Sequence, residues 1–203
     1  MLLNKVAFLY SMKVCLFIIL ILFTVNDLTA QYDSISIGND NRYYLQHLPP
    51  TYDPVVPSAL VLALHGGFGS APNLENQSGL STKADQENFI VVYPEGIVGN
   101  FGIRTWNAGG CCGYAVDNNI DDVGFIDQLL DTLIAGLSID TSRIYVTGMS
   151  NGGFMAYRLA CELSHRIAAI APVAATMSFD CLPVNPVSII HFHSYLDENI
   201  PYD

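Results

Sequence analysis

Two runs, Ala59-Leu60-Val61-Leu62-Ala63-Leu64 and Phe89-Ile90-Val91-Val92-Tyr93, are apolar at every position. A strand with one wet face alternates apolar with polar residues, so an unbroken run of this kind marks a strand buried on both faces. Such strands belong in a mostly parallel sheet with helices packed on either side. The rest of the chain supplies the partners. Residues 42–48 alternate and stop at Pro49-Pro50, predicting another strand. Asp121 is an N-cap candidate for a helix whose apolar stripe is Val123, Ile126, Leu130, Leu133 and Leu137. A strand at 144–147, a helix over 154–163, and apolar runs at 167–170 (with Pro172 behind it) and 187–192 complete the alternation. The expected class is therefore α/β. In such sheets, sites gather beyond the carboxyl ends of the strands.

At 203 residues the chain can bury one sizeable core, and its 51 % hydrophobic and 13 % charged content favours a single compact domain over disorder. Residues 1–30 read as a secretory signal peptide. Lys5 and Lys13 precede a long apolar run over 14–25, and Leu28-Thr29-Ala30 offers a small residue at the cut. Those 12 residues fall short of the roughly 20 that a spanning helix needs. A secreted or periplasmic domain over 31–203, without stable membrane association, is the expectation. Cleavage removes Lys5, Lys13 and Asp27, leaving 6 basic and 18 acidic side chains and a formal charge of −12. A surface so acidic disfavours nucleic acid and anionic membranes as partners.

Four cysteines remain: Cys111, Cys112, Cys161 and Cys181. In an exported chain an even number points to disulfides, with three pairings open. Metal binding at Cys111 and Cys112 lacks a second Cys or His pair at zinc spacing. His191 and His193 share one face of a strand, but no third ligand accompanies them. No metal or cofactor is expected.

Gly148-Met149-Ser150-Asn151-Gly152 reads as a nucleophile elbow, a strained strand-to-helix turn that projects a serine hydroxyl from the backbone. Serine is a weak nucleophile without a base, so Ser150 needs companions. His65-Gly66-Gly67-Phe68-Gly69 follows the buried strand ending at Leu64. A glycine-rich turn there lets backbone N–H groups reach a tetrahedral oxyanion, with a second donor on the Asn151 N–H. Gly66, Gly67 and Asn151 are the oxyanion candidates. A phosphate loop is the competing reading, but neither a Walker lysine nor a full Gly-x-Gly-x-x-Gly is present. Asp197, after the run 187–192, is the candidate triad acid, with Glu198 its neighbour and rival. Trp106, the only tryptophan, is with His65 and Met149 a candidate to line the substrate pocket.

Taken in order, His65-Gly66-Gly67, Trp106-Asn107, Cys111-Cys112-Gly113, Asp121-Asp122-Val123-Gly124-Phe125, Gly148-Met149-Ser150-Asn151-Gly152-Gly153, and His191-x-His193 with Asp197 and Pro201-Tyr202 form a pattern. It resembles the secreted α/β-hydrolase esterases of polyhydroxybutyrate depolymerase and feruloyl or acetylxylan esterase type, over roughly residues 40–203. The resemblance implies an α/β-hydrolase fold and ester hydrolysis through an acyl-enzyme on an ester-bearing polysaccharide or polyester. It makes Ser150 the nucleophile and Asp197 the acid. In that family the catalytic histidine follows the acid, whereas His47, His65, His165, His191 and His193 all precede Asp197. The expectation is thus a C-terminally truncated, nearly inactive domain lacking its last strand and helix, with an exposed apolar edge. A polymer-binding protein that lost its base, and a secreted peptidase or thioesterase, are the alternatives.

Overall fold

The computed structural model describes residues 31–38 and 40–201, so the leader expected at 1–30 lies outside the described residues, as does Tyr202. The main sheet runs in the order β1-β2-β4-β3-β7-β8-β9. Strands β1 (Gln31–Ile37) and β2 (Asp40–His47) pair antiparallel, and β2 meets β4 (Ile90–Pro94) antiparallel. From β4 onward, β3 (Ser58–Leu64), β7 (Ile139–Met149), β8 (Ala169–Val173) and β9 (Ser188–Ile189) all run parallel. A short hairpin, β5 (Ile97–Val98) with β6 (Arg104–Thr105), stands apart from this sheet.

The continuous apolar runs do what their composition demands. Leu60, Leu62 and Leu64 alternate onto one face with Ile90 and Val92. There they pack against Phe125, Ile126 and Leu129 of α4 (Asp122–Gly136) and Met155 and Leu159 of α5 (Asn151–Glu162). Ala63, Val91 and Tyr93 turn to the opposite face, where Ala71 of α1 (Ala71–Ser78) and Ala84 of α2 (Leu80–Glu87) cover them. Each fully buried leucine contributes about 1.5–3 kcal/mol from area removed from water. One further short helix, α3 (Tyr114–Asp117), follows the hairpin. Asp121 is the expected N-cap of α4, its Oδ1 accepting the Gly124 N–H at 2.9 Å.

The strand expected at 144–147 extends over Ile139–Met149 and the helix expected over 154–163 starts at Asn151, and two further boundaries differ at the β8–β9 edge. The run at 167–170 yields a strand that begins at Ala169 and takes in Pro172, and the run at 187–192 yields regular pairing only at Ser188–Ile189. Pro172 O accepts the Phe192 N–H at 3.0 Å, so in a parallel ladder the proline nitrogen also faces β9. Lacking a hydrogen, it cannot return a bond to Ile190, and the regular ladder stops there although pairing continues to Phe192. Ile189 and Phe192 remain half exposed along this edge, at 53 % and 50 %.

Candidate active site

Ser150 sits between β7 and α5 with φ 51° and ψ −123°, a left-handed backbone that a non-glycine residue holds at a cost of about 1–3 kcal/mol. The turn is tight enough that a Cβ on Gly152 would fall on Leu64 O and within 2.5 Å of His65 O. One on Gly148 would strike Gly152 itself. Both glycines of the elbow are therefore steric requirements. The Ser150 N–H is spent on Val173 O at 2.9 Å, and its side chain makes no cap hydrogen bond to the helix it precedes. The hydroxyl stays available, and the first amides of α5, which have no intrahelical acceptor, lie beside it.

The loop after β3 packs directly on this turn. A Cβ on Gly66 would sit 3.5 Å from the Ser150 Cβ, and one on Gly67 would sit 3.9 Å from that of Asn151. His65 shapes the loop from below. Its Nε2 lies 3.0 Å from the Gly96 N–H nitrogen, which can only donate. Nδ1 therefore carries the ring proton and donates to Gly66 O at 2.7 Å. Gly66 O also accepts the Gly69 N–H at 3.0 Å. In a trans peptide the Gly67 N–H points opposite to that carbonyl. Burial holds the His65 imidazole below its ordinary value of 6.5, in keeping with a neutral ring fixed by two backbone groups.

The elbow's other neighbour is the segment around Trp106. Its N–H donates to Asn151 Oδ1 at 2.7 Å, its carbonyl accepts from Asn151 Nδ2 at 3.0 Å, and its indole N–H reaches His65 O at 2.9 Å. The next residue, Asn107, donates its N–H to Asp122 Oδ2 at 2.7 Å. Asp122 is fully buried and pairs with Arg42 at 2.5 Å, whose guanidinium lies 4.0 Å over the Phe125 ring. Burial pushes the Asp122 carboxyl above the usual carboxylate range, and the Arg42 charge works against that rise. Arg104 Nε comes within 2.8 Å of Glu95 Oε2, a charge contact in which the N–H is not aimed at the oxygen.

Asp197 occupies the loop after β9. Its Oδ1 accepts the N–H groups of Ile200 at 2.9 Å and Asn199 at 3.0 Å, and these bonds hold its carboxyl below the usual range. His193 Nε2 stands 3.6 Å from Asp197 Oδ2. The other histidines are elsewhere: His47 meets Asp85 at 2.7 Å, and His165 is exposed in the turn beyond α5. His191 Nδ1 is taken by the Tyr157 hydroxyl. The cysteines pair as Cys111–Cys112 and Cys161–Cys181. Among the described residues no three His, Cys, Asp or Glu side chains are grouped to hold a metal ion.

A cavity of about 700 Å³ opens on Ser150 and Asn151. Gly67 and Cys112 contribute to its wall, Asp117 and Asn118 are among its polar groups, and Phe68, Phe101 and Tyr114 are its aromatic ones. Phe68 and Phe101 are 79 % and 99 % exposed, and both hold positive φ, 67° and 60°. Three expected wall residues lie elsewhere. Trp106 is wholly buried, stacked on Phe125, because its indole N–H has a partner only inside. His65 is buried under the loop, and Met149 turns to a separate cavity of about 190 Å³ beside Leu74 and Leu80. Gly66 also stands outside the main cavity wall, whereas Gly67 is in it.

Residues 43–181 match the family model described as Esterase PHB depolymerase. The chain belongs to the Esterase PHB depolymerase family. It is 31 % identical over 181 residues to a bifunctional acetylxylan esterase/xylanase of Neocallimastix patriciarum, covering 88 % of this chain and 24 % of that protein. It is 31 % identical over 159 residues to feruloyl esterase B of Piromyces equi, covering 75 % and 28 %. The chain thus spans about a quarter of the length of these two relatives. A solved thermostable esterase shares the fold with a TM-score of 0.67 at 18 % identity, covering 85 % of this chain and 48 % of that one. In this member of the Esterase PHB depolymerase family, Arg42 and Asp122 support the site without having carried a catalytic signature. In the sequence Asp122 stands only within the Asp121-Asp122-Val123-Gly124-Phe125 motif of the resemblance, where a second acid beside the N-cap is more than one capping bond explains. No helix among the described residues is long and apolar enough to cross a membrane.

Proposed function

We propose that the chain is the nucleophile- and acid-bearing part of a secreted serine esterase acting on an ester-bearing polysaccharide or polyester. The observation that carries this reading is Ser150, held at φ 51° on a steric elbow, its side chain making no cap hydrogen bond, in the lining of a cavity that Gly67 and Asn151 also line. In the proposed reaction Ser150 Oγ bonds to the ester carbonyl carbon as a base takes its proton. The N–H groups of the 66–67 turn and of Asn151 receive the developing oxyanion. The proton returns to the departing alcohol, and water then cleaves the acyl-enzyme. Asp197 orients the base, a role the described histidines do not fill: the ring nitrogens of His65, His191 and His193 are spent on other groups, His47 meets Asp85, and His165 lies in the exposed turn beyond α5. On that ground residues 31–203 by themselves turn over p-nitrophenyl acetate no faster than their Ser150→Ala variant.

The leader pattern of residues 1–30 supports export, and the acyl-ester names of the relatives support the substrate class. A fluorophosphonate probe tests the reading on the protein as its cells secrete it. Labelling confined to Ser150 and abolished by Ser150→Ala is expected. Labelling at another residue, or none at all, overturns it. Faster turnover of an amide than of the matching ester would instead identify a peptidase.

A further inference from the structure

Three side chains join the helix that Ser150 begins to the loop that carries Asp197. Tyr157, two turns into α5, places its hydroxyl 2.7 Å from His191 Nδ1. His191 Nε2 lies 3.0 Å from His193 Nδ1, and His193 Nε2 lies 2.7 Å from Ile200 O. A carbonyl oxygen only accepts, so Nε2 of His193 carries the proton. Nδ1 of the neutral ring is then an acceptor and must meet a proton on His191 Nε2. His191 Nδ1 in turn is left with a lone pair, so Tyr157 is the donor. One backbone acceptor thus sets the direction of every bond in the series.

The two ends matter. Backbone pairing already ties the elbow to the acid strand as far as Phe192, through Ser150 N–H to Val173 O and Ala174 N–H to Phe192 O. Beyond Phe192 the ladder ends and the chain enters an exposed loop. Ile200 at its far side is held through both of its backbone polar groups, its N–H donating to Asp197 Oδ1 and its carbonyl accepting from His193 Nε2. We propose that Tyr157 and His191 are positioning residues for the acid: by ordering the His193 ring, they set the Asp197 loop relative to the nucleophile's helix. The proposal rests on the role given above to Ser150 and Asp197, but its geometry can be tested apart from that role.

Histidine-ring nitrogen spectra and amide exchange on the full chain at pH 8, where imidazoles are neutral, decide it. Both rings are expected as Nε2–H tautomers. In Tyr157→Phe, His191 drifts to a tautomer mixture and amide exchange at Asn199 and Ile200 quickens several-fold, up to about tenfold. Core amides such as Leu62 and Val146 keep their rates. His191→Phe, which keeps an aromatic ring and removes both nitrogens, quickens the same two amides, and the double variant adds nothing further, as one series requires. A proton on Nδ1 of either ring in the unaltered protein overturns the proposal and needs no variant. So do unchanged exchange at Asn199 and Ile200, additive effects, or quickening spread equally through the core. None of these readouts uses Ser150 reactivity, so the esterase reading stands or falls separately on its probe.

Discussion

Asn151 and Trp106 exchange hydrogen bonds: the Trp106 N–H donates to Asn151 Oδ1 at 2.7 Å, and Asn151 Nδ2 donates back to Trp106 O at 3.0 Å. The residue after the candidate nucleophile is thereby keyed to the loop that carries Cys111 and Cys112. One side-chain amide serves both backbone groups of Trp106, so Asn151→Leu strands two buried polar groups. A loss of about 1–3 kcal/mol is expected. Because Trp106 is the only tryptophan, urea unfolding followed by its emission measures both the loss and any wetting of the indole. An unchanged midpoint in Asn151→Leu would show that the exchange contributes nothing.

His65 links stability to pH. Its Nε2 accepts from the Gly96 N–H, so a second ring proton would face another hydrogen, and burial also holds its pKa below 6.5. Below about 6.5 the unfolded chain binds a proton that the folded ring refuses. The contribution is therefore complete above 6.5 and is lost as pH falls toward the depressed folded value, at up to about 1.4 kcal/mol per pH unit. His191, depressed by burial and by the His193 charge, has the same sign. Denaturant titrations between pH 7.5 and 5.5 are expected to show falling stability, with a shallower slope in His65→Gln. Equal slopes would remove His65 from the account.

What could be foreseen in this chain was what is local. Burial on both faces shows in residues 59–64 and 89–93 because every position is apolar, and the elbow shows because its steric demand spans five residues. The pocket was different. A tryptophan in a glycine-rich loop suggests a cavity wall, yet the partner of its indole N–H is a carbonyl at His65, 41 residues away. Pro172 argues against a strand until its missing hydrogen is seen to face the sheet's failing edge rather than β7.

The pairing of Arg42 with Asp122, 80 residues apart, is likewise invisible to local pattern, and its burial makes a sharp prediction. Removing one partner leaves an uncompensated buried charge, so Arg42→Met is expected to lose about 3–5 kcal/mol. Replacing both by apolar residues relieves that penalty, although Asn107 N–H and Glu95 O then lose their partners too. The double variant Arg42→Met/Asp122→Leu should accordingly unfold at higher denaturant than Arg42→Met alone. The reverse order, by equilibrium unfolding, would mean that the pair's hydrogen bonds outweigh the cost of its charge.

Gly152 and Gly136 separate close approach from helix propensity, since both lie in helices. At Gly136, the last residue of α4, an added Cβ meets nothing within 4 Å. Alanine there removes backbone freedom from the unfolded chain and favours helix, for a gain of up to about 1 kcal/mol. At Gly152 the same methyl falls on Leu64 O, a strand carbonyl in the core that cannot swing aside. Overpacking against side chains costs about 1–3 kcal/mol, and against fixed backbone the loss should lie at or beyond the upper end. Thermal unfolding is thus expected to move in opposite directions for Gly136→Ala and Gly152→Ala. The second variant should also lose probe labelling at Ser150, because α5 can admit the methyl only by carrying its N-terminus away from the 65–67 turn. Retained labelling with a lowered melting temperature would mean that the strain relaxes away from the elbow.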